Sequence, residues 1–282
     1  MDIREFFRLV RIEHGLMFAA AVFIGEVIAG KIPEIPILVL SLLIPIFSEM
    51  GAFALNDYLD IEADRLNKRK RPLVTGTIRP KFALWFSVSS LVLSTVLAYF
   101  INIPVFLLAF SLNLLAVSYN IRLKDLPLVG NIYIAFTMGI PFIFGNMVVS
   151  EMLYTPSIIL FVLGFTAGLA REIVKSIEDM HGDKAARGSR TLPILIGDKY
   201  SAGIAIALYV LFIPITYLPF LYGLQGTFVT YTLVTVGNIL IMKGIYSVLK
   251  KDYRLARNLS LIAFGFGIAG YLLSTSVFSL GL

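Results

Sequence analysis

The feature that most constrains this 282-residue chain is the recurrence, from one end to the other, of apolar runs about twenty residues long. A helix of about that length, rising ~1.5 Å per residue, matches the ~30 Å hydrocarbon core of a bilayer. Nine such runs can be drawn, at 15–31, 36–56, 82–101, 103–121, 130–150, 155–174, 200–220, 227–249 and 258–280. They are continuous rather than alternating, which favours helices over a β-barrel. Only 15% of residues are charged, against about 25% in soluble domains. The expected fold is an all-α polytopic membrane protein, with nine transmembrane helices around a central cavity open to the cytoplasmic face. Residues 1–282 read as one transmembrane domain. The first dozen residues are amphipathic and charged, without a cleavable-signal pattern, and the chain has no cysteine.

The basic residues fix an orientation. All of the 24 Lys and Arg except Lys31 and Lys243 fall in five segments: before span one, after spans two, four and eight, and at the end of span six and after it. With nine spans those segments share one side. The positive-inside rule makes it cytoplasmic, with the N-terminus inside and the C-terminus outside. The net charge of +6 is thus accounted for by orientation in a lipid bilayer. It does not imply nucleic acid, and no obligate protein partner is evident.

The acids are the second pattern. Asn56, Asp60 and Asp64 are spaced i, i+4, i+8 where span two leaves the membrane, so a continuing helix places them on one face. Asp179 and Asp183 repeat the i, i+4 spacing just past span six. Both sets leave the bilayer on the same side. Facing carboxylates near hydrocarbon are costly unless neutralised. Mg²⁺ is the natural neutraliser, since it takes hard oxygen ligands and commonly bridges one or two carboxylates to substrate phosphates. Two such ions would grip a diphosphate, with Arg65, Lys68, Lys175, Lys184 and Arg190 adding positive charge for the same anion.

At these residues the chain resembles the UbiA-type membrane prenyltransferases. Their N-D-x-x-D-x-x-x-D motif is matched by Asn56, Asp57, Asp60 and Asp64, and their D-x-x-x-D motif by Asp179 and Asp183. The resemblance implies Mg²⁺-dependent transfer of an isoprenoid from its diphosphate to a lipophilic acceptor, with Asp60, Asp64, Asp179 and Asp183 catalytic. The stretches "NDYLDIEADRLNKRKRPLVTGTI" and "REIVKSIEDMHGDKAARGSRTLPILIG" are most similar to archaeal digeranylgeranylglyceryl phosphate synthases. Such enzymes attach a geranylgeranyl group to geranylgeranylglyceryl phosphate in ether-lipid synthesis. Chlorophyll synthase and homogentisate prenyltransferase relatives carry similar second motifs, so an aromatic prenyltransferase of quinone or chlorophyll-type biosynthesis stays open. Two positions depart from the family pattern. Ser176 stands where many relatives have an acid, and Lys175 where a tyrosine often precedes the second motif.

Further polar residues join the expected site. Glu49 and Glu172 lie seven residues before Asn56 and Asp179, and an intramembrane acid is a functional candidate. Binding or deprotonating the acceptor and pairing with Arg171 or Lys243 are the two readings. Arg11 and His14 open span one on the same side, where the resemblance implies a cation for a phosphorylated acceptor. Lys124 matches the family's diphosphate-contacting lysine. Tyr119, with Tyr58 and Tyr133, offers ring faces to a carbocation-like prenyl group. Gly265, Gly267 and Gly270 suggest close helix packing. Pro141, Pro214 and Pro219 are expected to kink or end helices. A transporter is the competing class, but transporter sites sit near the midplane in repeated halves, whereas these acids cluster at one side.

Overall fold

The computed structural model describes residues 2–30, 32–66, 69–188 and 190–275; the side chains of 181–184, 186 and 187 lie outside the description. Lys68 falls outside it altogether, as do the side chains of Asp183 and Lys184. Every regular element among the described residues is helical. Among the described residues, eight helices are long and apolar enough to cross a bilayer. The helix over the first expected span, Ile12–Ile28, has 17 residues, at the short end of the crossing range.

The chain divides into two compact units, with the divisions falling inside Ile12–Ile28 and near the end of Thr155–Arg187. Unit 1 holds α1 (Ile3–Val10), the start of α2 (Ile12–Ile28), α3 (Ile35–Leu59), α4 (Ile61–Leu66), α5 (Pro80–Tyr99), α6 (Ile103–Ile121) and the stretch from His181. Asp2 caps α1 by accepting from Arg4 N at 3.0 Å. Asn102 caps α6 by accepting from Val105 N at 2.8 Å, which makes the tight turn between α5 and α6 possible. The core at the motif end gathers Leu9 and Val10 of α1, Met50 and Ala54 of α3, Leu73, Ile78 and Ala83.

Unit 2 holds the rest of α2, α7 (Val129–Val149), most of α8 (Thr155–Arg187), α9 (Leu192–Ile196), α10 (Asp198–Ile215), α11 (Leu218–Leu221), α12 (Phe228–Leu249) and α13 (Tyr253–Leu273). Gly25 and Gly145 bring α2 and α7 into backbone contact, since a Cβ on either would strike a carbonyl of Phe142 or Val22. Gly139 and Gly164 do the same for α7 and α8 against Phe161 and Met138 carbonyls. Close approach through glycine is a standard way to associate helices in lipid, where burial of apolar surface supplies no drive. Of the glycines noted in α13, Gly270 packs on Val234, Leu233 and Thr230, while Gly265 has nothing within 4 Å. Spacing marked a small-residue patch, but only the face turned to α12 uses it. Pro141 lies inside α7, which runs on to Val149, and Pro214 and Pro219 bracket the break between α10 and α11.

Candidate active site

The first acid motif does not ride on an unbroken helix, as its spacing suggested. α3 ends at Leu59, and Asp60 takes φ −100°, ψ 10°, the sparsely populated bridge region favoured by many active-site residues. The hydrogen-bond ladder survives the bend, with Asp60 N donating to Asn56 O at 2.9 Å and Asp64 N to Asp60 O at 2.7 Å. Asn56, Asp60 and Asp64 therefore keep helical spacing across a change of direction. The side-chain partners of Asp60 include one from α3 and one from the turn after α6. Lys124 donates to Asp60 Oδ1 at 2.5 Å and Asn56 Nδ2 donates to Asp60 Oδ2 at 3.1 Å. Lys124, only 9% exposed, sits in a short 3₁₀ turn just after α6. Asn56 Nδ2 also donates to Asn120 Oδ1 at 2.9 Å, tying α3 to α6.

Asp64 is buried in α4 and meets Arg69 Nη1 at 3.4 Å and Arg71 Nε at 3.8 Å. Burial pushes its carboxyl above the ordinary aspartate value, and the charges of Arg71 and Arg69 work against that rise. Asp57, in the last turn of α3, accepts from Arg11 Nη2 at 2.5 Å and has Arg71 Nε at 4.0 Å. Arg11 also lies over the Phe53 ring at 4.3 Å, and His14 packs on the same ring at 5.1 Å. Burial pulls the Arg11 pKa down to about 10, with Asp57 opposing, which leaves the guanidinium charged at neutral pH. Glu49 is half-buried two turns earlier on α3, and Tyr119 is half-buried in the last turn of α6. Arg65 is exposed and turns to Glu62, with Nη1 at 2.8 and 2.9 Å from its two oxygens.

The second motif lies on α8, whose 33 residues span roughly 50 Å and so outrun the membrane. Asp179 and Asp183 keep i, i+4 spacing on that one helix. The backbone from His181, and with it Asp183, belongs to the same compact unit as the first motif. Two turns before Asp179, Glu172 is buried and paired twice within its own helix, to Arg171 Nη1 at 3.0 Å and Lys175 Nζ at 3.2 Å. The expected pairing of Glu172 with Arg171 is thus present. Lys175 is engaged there too. Ser176, at the position where relatives carry an acid, accepts from Asn131 Nδ2 of α7 at 2.8 Å.

Sequence reasoning missed Arg69, Arg71 and Asn120 as individual partners. Arg69 and Arg71 lay inside a run of bases already explained by orientation, and nothing in the local sequence distinguishes Asn120. Among the described residues no three Asp, Glu or His side chains gather closely enough to hold a metal by themselves. The donors at the first motif are all oxygen, from Asp60, Asp64 and Asn56. That set fits a hard ion that keeps water and takes much of its coordination from substrate phosphate. Each acid already faces a base, so anionic substrate and cation would arrive where both signs of charge are present.

Comparisons with known proteins converge on one family. The model of the UbiA prenyltransferase family matches residues 16–279. Digeranylgeranylglyceryl phosphate synthase of Thermococcus kodakarensis is 34% identical over 79% of this chain and 80% of its own length. The protein of the same name from Archaeoglobus fulgidus is 35% identical over 95% of this chain and 94% of its own. A solved structure from work on digeranylgeranylglyceryl phosphate synthase in membranes superposes with a TM-score of 0.72 at 29% identity, covering 97% of this chain and 98% of that one. A UbiA homologue from Archaeoglobus fulgidus bound to DMAPP and Mg²⁺ superposes with a TM-score of 0.66 at 21% identity, over 95% of this chain and 99% of that one. With the acid motifs, their basic partners and eight long apolar helices in place, the chain belongs to the UbiA prenyltransferase family and is an intramembrane prenyltransferase.

Proposed function

We propose that the chain transfers a geranylgeranyl group from its diphosphate to the free hydroxyl of geranylgeranylglyceryl phosphate, forming an archaeal ether lipid. The observation that carries this reading is the first motif itself, where each carboxylate has a cationic partner: Asp57 and Asp60 take theirs from distant parts of the chain, at Arg11 and Lys124, and Asp64 from Arg69 in the loop that follows. Relatives of that name at 34 and 35% identity support the choice of acceptor.

In this reading Asn56, Asp60, Asp64, Asp179 and Asp183 hold Mg²⁺, as the Mg²⁺-bound Archaeoglobus homologue suggests by analogy. When bound, the metal supplies positive charge to the departing pyrophosphate. Lys124 lies closest to Asp60 and is the base best placed to share the diphosphate. Lys175, Lys184, Arg65 and Lys68 are further contributors of positive charge around that anion. The bond from the diphosphate oxygen to prenyl C1 breaks, its electron pair leaving with pyrophosphate. The acceptor oxygen then bonds to C1 and gives up its proton, and Glu49, on the α3 face below Asn56, receives it. Apolar helix faces exclude water from the prenyl cation, and the Tyr119 ring offers its face to that charge. The N-terminus and the motif ends are cytoplasmic and the C-terminus is outside, by the placement of bases.

The test supplies geranylgeranyl diphosphate and Mg²⁺ with geranylgeranylglyceryl phosphate, 4-hydroxybenzoate, dihydroxynaphthoate and homogentisate, and identifies products by mass. The ether lipid should form, and Asp60→Ala and Asp183→Ala should each lower turnover by about a thousandfold or more with the thermal midpoint of the folded protein retained. A prenylated aromatic product would replace the acceptor assignment. Wild-type rates in both variants would remove the metal-binding assignment, and uptake into sealed vesicles without product would return the transporter.

A further inference from the structure

Asp57 differs from the other acids of its motif. Its side chain is 1% exposed, whereas that of Asp60 is 12% exposed. Asp57 Oδ1 takes the Arg11 guanidinium, and Oδ2 is buried and accepts no hydrogen bond among the described residues. A Mg²⁺ ion that keeps part of its water shell has no route to such an oxygen. Arg11 is unusual in turn. It closes α1 with φ 46°, ψ 57°, a left-handed conformation uncommon for a residue with a Cβ and held only when surroundings require it. That conformation lets Arg11 N–H cap Phe7 O at 2.9 Å while the side chain runs along α3 over Phe53 to Asp57, one turn further on.

The rest of α1 is fastened to the loop that follows the motif. Arg8 Nη2 donates to Lys70 O at 2.9 Å, Thr77 Oγ1 donates to Glu5 Oε2 at 3.2 Å, and Leu9 and Val10 are buried with Leu73 and Ile78. The helix thus joins the end of α3 to the segment that supplies Arg69 and Arg71.

We propose that Arg11 and Asp57 are a positioning pair: the α1–α2 corner, acting through their ion contact, sets the rotation of the end of α3 and with it the aim of Asp60 and Asp64. On this account Asp57 is not a metal ligand, and Arg11 does not read the acceptor's phosphate. The inference rests on the prenyltransferase reading above and assigns roles inside it. Without Arg11 the buried Asp57 carboxylate loses its hydrogen-bonded cation and is left with Arg71 Nε at 4.0 Å, an incompletely compensated charge one helical turn from Asp60. Misplacing a reacting or ligating group by about 1 Å can cost roughly a hundredfold in rate.

The test is a double-mutant cycle of Arg11→Gln, Asp57→Asn and the pair together, with Arg11→Lys as the conservative variant. Thermal midpoints should fall in each single variant and fall no further in the double, because the double removes both charges while keeping similar shapes. Arg11→Gln should lower kcat roughly tenfold to a hundredfold with the KM for the phosphorylated acceptor nearly unchanged, and Arg11→Lys should recover most of the loss. The rise in midpoint on adding Mg²⁺ with pyrophosphate should persist in Asp57→Asn and vanish in Asp60→Asn. Additive midpoints would overturn the pairing. A raised acceptor KM at unchanged kcat in Arg11→Gln would make Arg11 an acceptor contact, and loss of the Mg²⁺ response in Asp57→Asn would make Asp57 a ligand; either overturns the proposal. The midpoint cycle needs no turnover, so it decides the pairing even if the wild-type protein forms no ether product.

Discussion

The two compact units associate their helices by different means. In unit 1 the seam between α3 and α6 is polar. Ser48 donates to Asn113 Oδ1 at 2.5 Å, and about two turns nearer the motif Asn56 donates to Asn120 Oδ1 at 2.9 Å. Asn113 Nδ2 finds Ser94 Oγ, Thr95 Oγ1 and Leu91 O of α5 at 2.7, 2.9 and 3.1 Å. In unit 2 α7 meets α2 and α8 where glycine lets one backbone approach another, and a side-chain hydrogen bond, Asn131 Nδ2 to Ser176 Oγ at 2.8 Å, is added between α7 and α8. Unit 1 also uses glycine, but less tightly: at Gly51 the nearest atom belongs to the Leu91 side chain, and at Gly15 a Cβ would lie 3.2 Å from Ile46 Cα without striking a carbonyl oxygen. The contrast separates two tasks. Paired amides specify one register of α3 against α6, and Asn56, the first residue of the acid motif, is part of that lock. Backbone contact through glycine gives close packing with no polar group to satisfy.

The contrast predicts unequal tolerance to small changes. Gly145→Ala should be the most damaging, because the added Cβ meets the carbonyl of Val22, a backbone atom that no rotamer change can move. Overpacking of this kind costs about 3 kcal/mol. Denaturation of the purified protein in detergent should show a large loss of stability or no folded protein. A wild-type midpoint would mean that α2 and α7 can separate freely, and the distinction between the units would lapse.

Asn113→Leu comes next. It removes the amide at the centre of the polar seam but orphans little. Ser94 Oγ and Thr95 Oγ1 each also donate to Leu91 O within their own helix, at 3.0 and 2.9 Å. The expected loss is about 1 kcal/mol, near the usual size of interhelical hydrogen bonds in membranes. A loss as large as that of Gly145→Ala would show that side-chain bonds, not close packing, dominate cohesion in both units.

What the sequence revealed follows the physics each pattern reports. Apolar runs report the bilayer, so the crossing helices were legible from one end of the chain to the other. Their ends were less so, because hydropathy registers where lipid stops and not where backbone hydrogen bonding stops. The run ending at 174 belongs to a helix that continues to Arg187, where charged residues are helical in water. The acid motifs were legible from i, i+4 spacing. The bend at Asp60 was not, and neither were the bases that meet these acids. Asp57 finds its partner at Arg11 and Asp60 at Lys124, 46 and 64 residues away, and only the folded backbone brings such positions together. Glu172 was harder for the opposite reason. Its partners are one and three residues away, close enough to read, yet the same spacing suited a role toward the acceptor.

The smallest effect is the sharpest check on the glycine half of the comparison. Gly265 and Gly270 lie on the same helix, α13, and the sequence offers no reason to rank them. In the structure a Cβ at Gly265 meets nothing within 4 Å, whereas one at Gly270 comes within 3.1 Å of Val234 Cγ2 and 3.4 Å of Thr230 O. If glycine matters only where a neighbouring helix presses on it, Gly265→Ala should stabilise slightly. Alanine is favoured over glycine in a helix interior by about 1 kcal/mol, and here nothing opposes that gain. Gly270→Ala gains the same propensity but must displace its neighbours by a few tenths of an ångström, so it should be neutral or mildly destabilising. Midpoints measured side by side should therefore place Gly265→Ala above wild type and Gly270→Ala at or below it. The reverse order would mean that Gly265 packs on something outside this chain, and packing through glycine would then extend beyond the helices of a single copy.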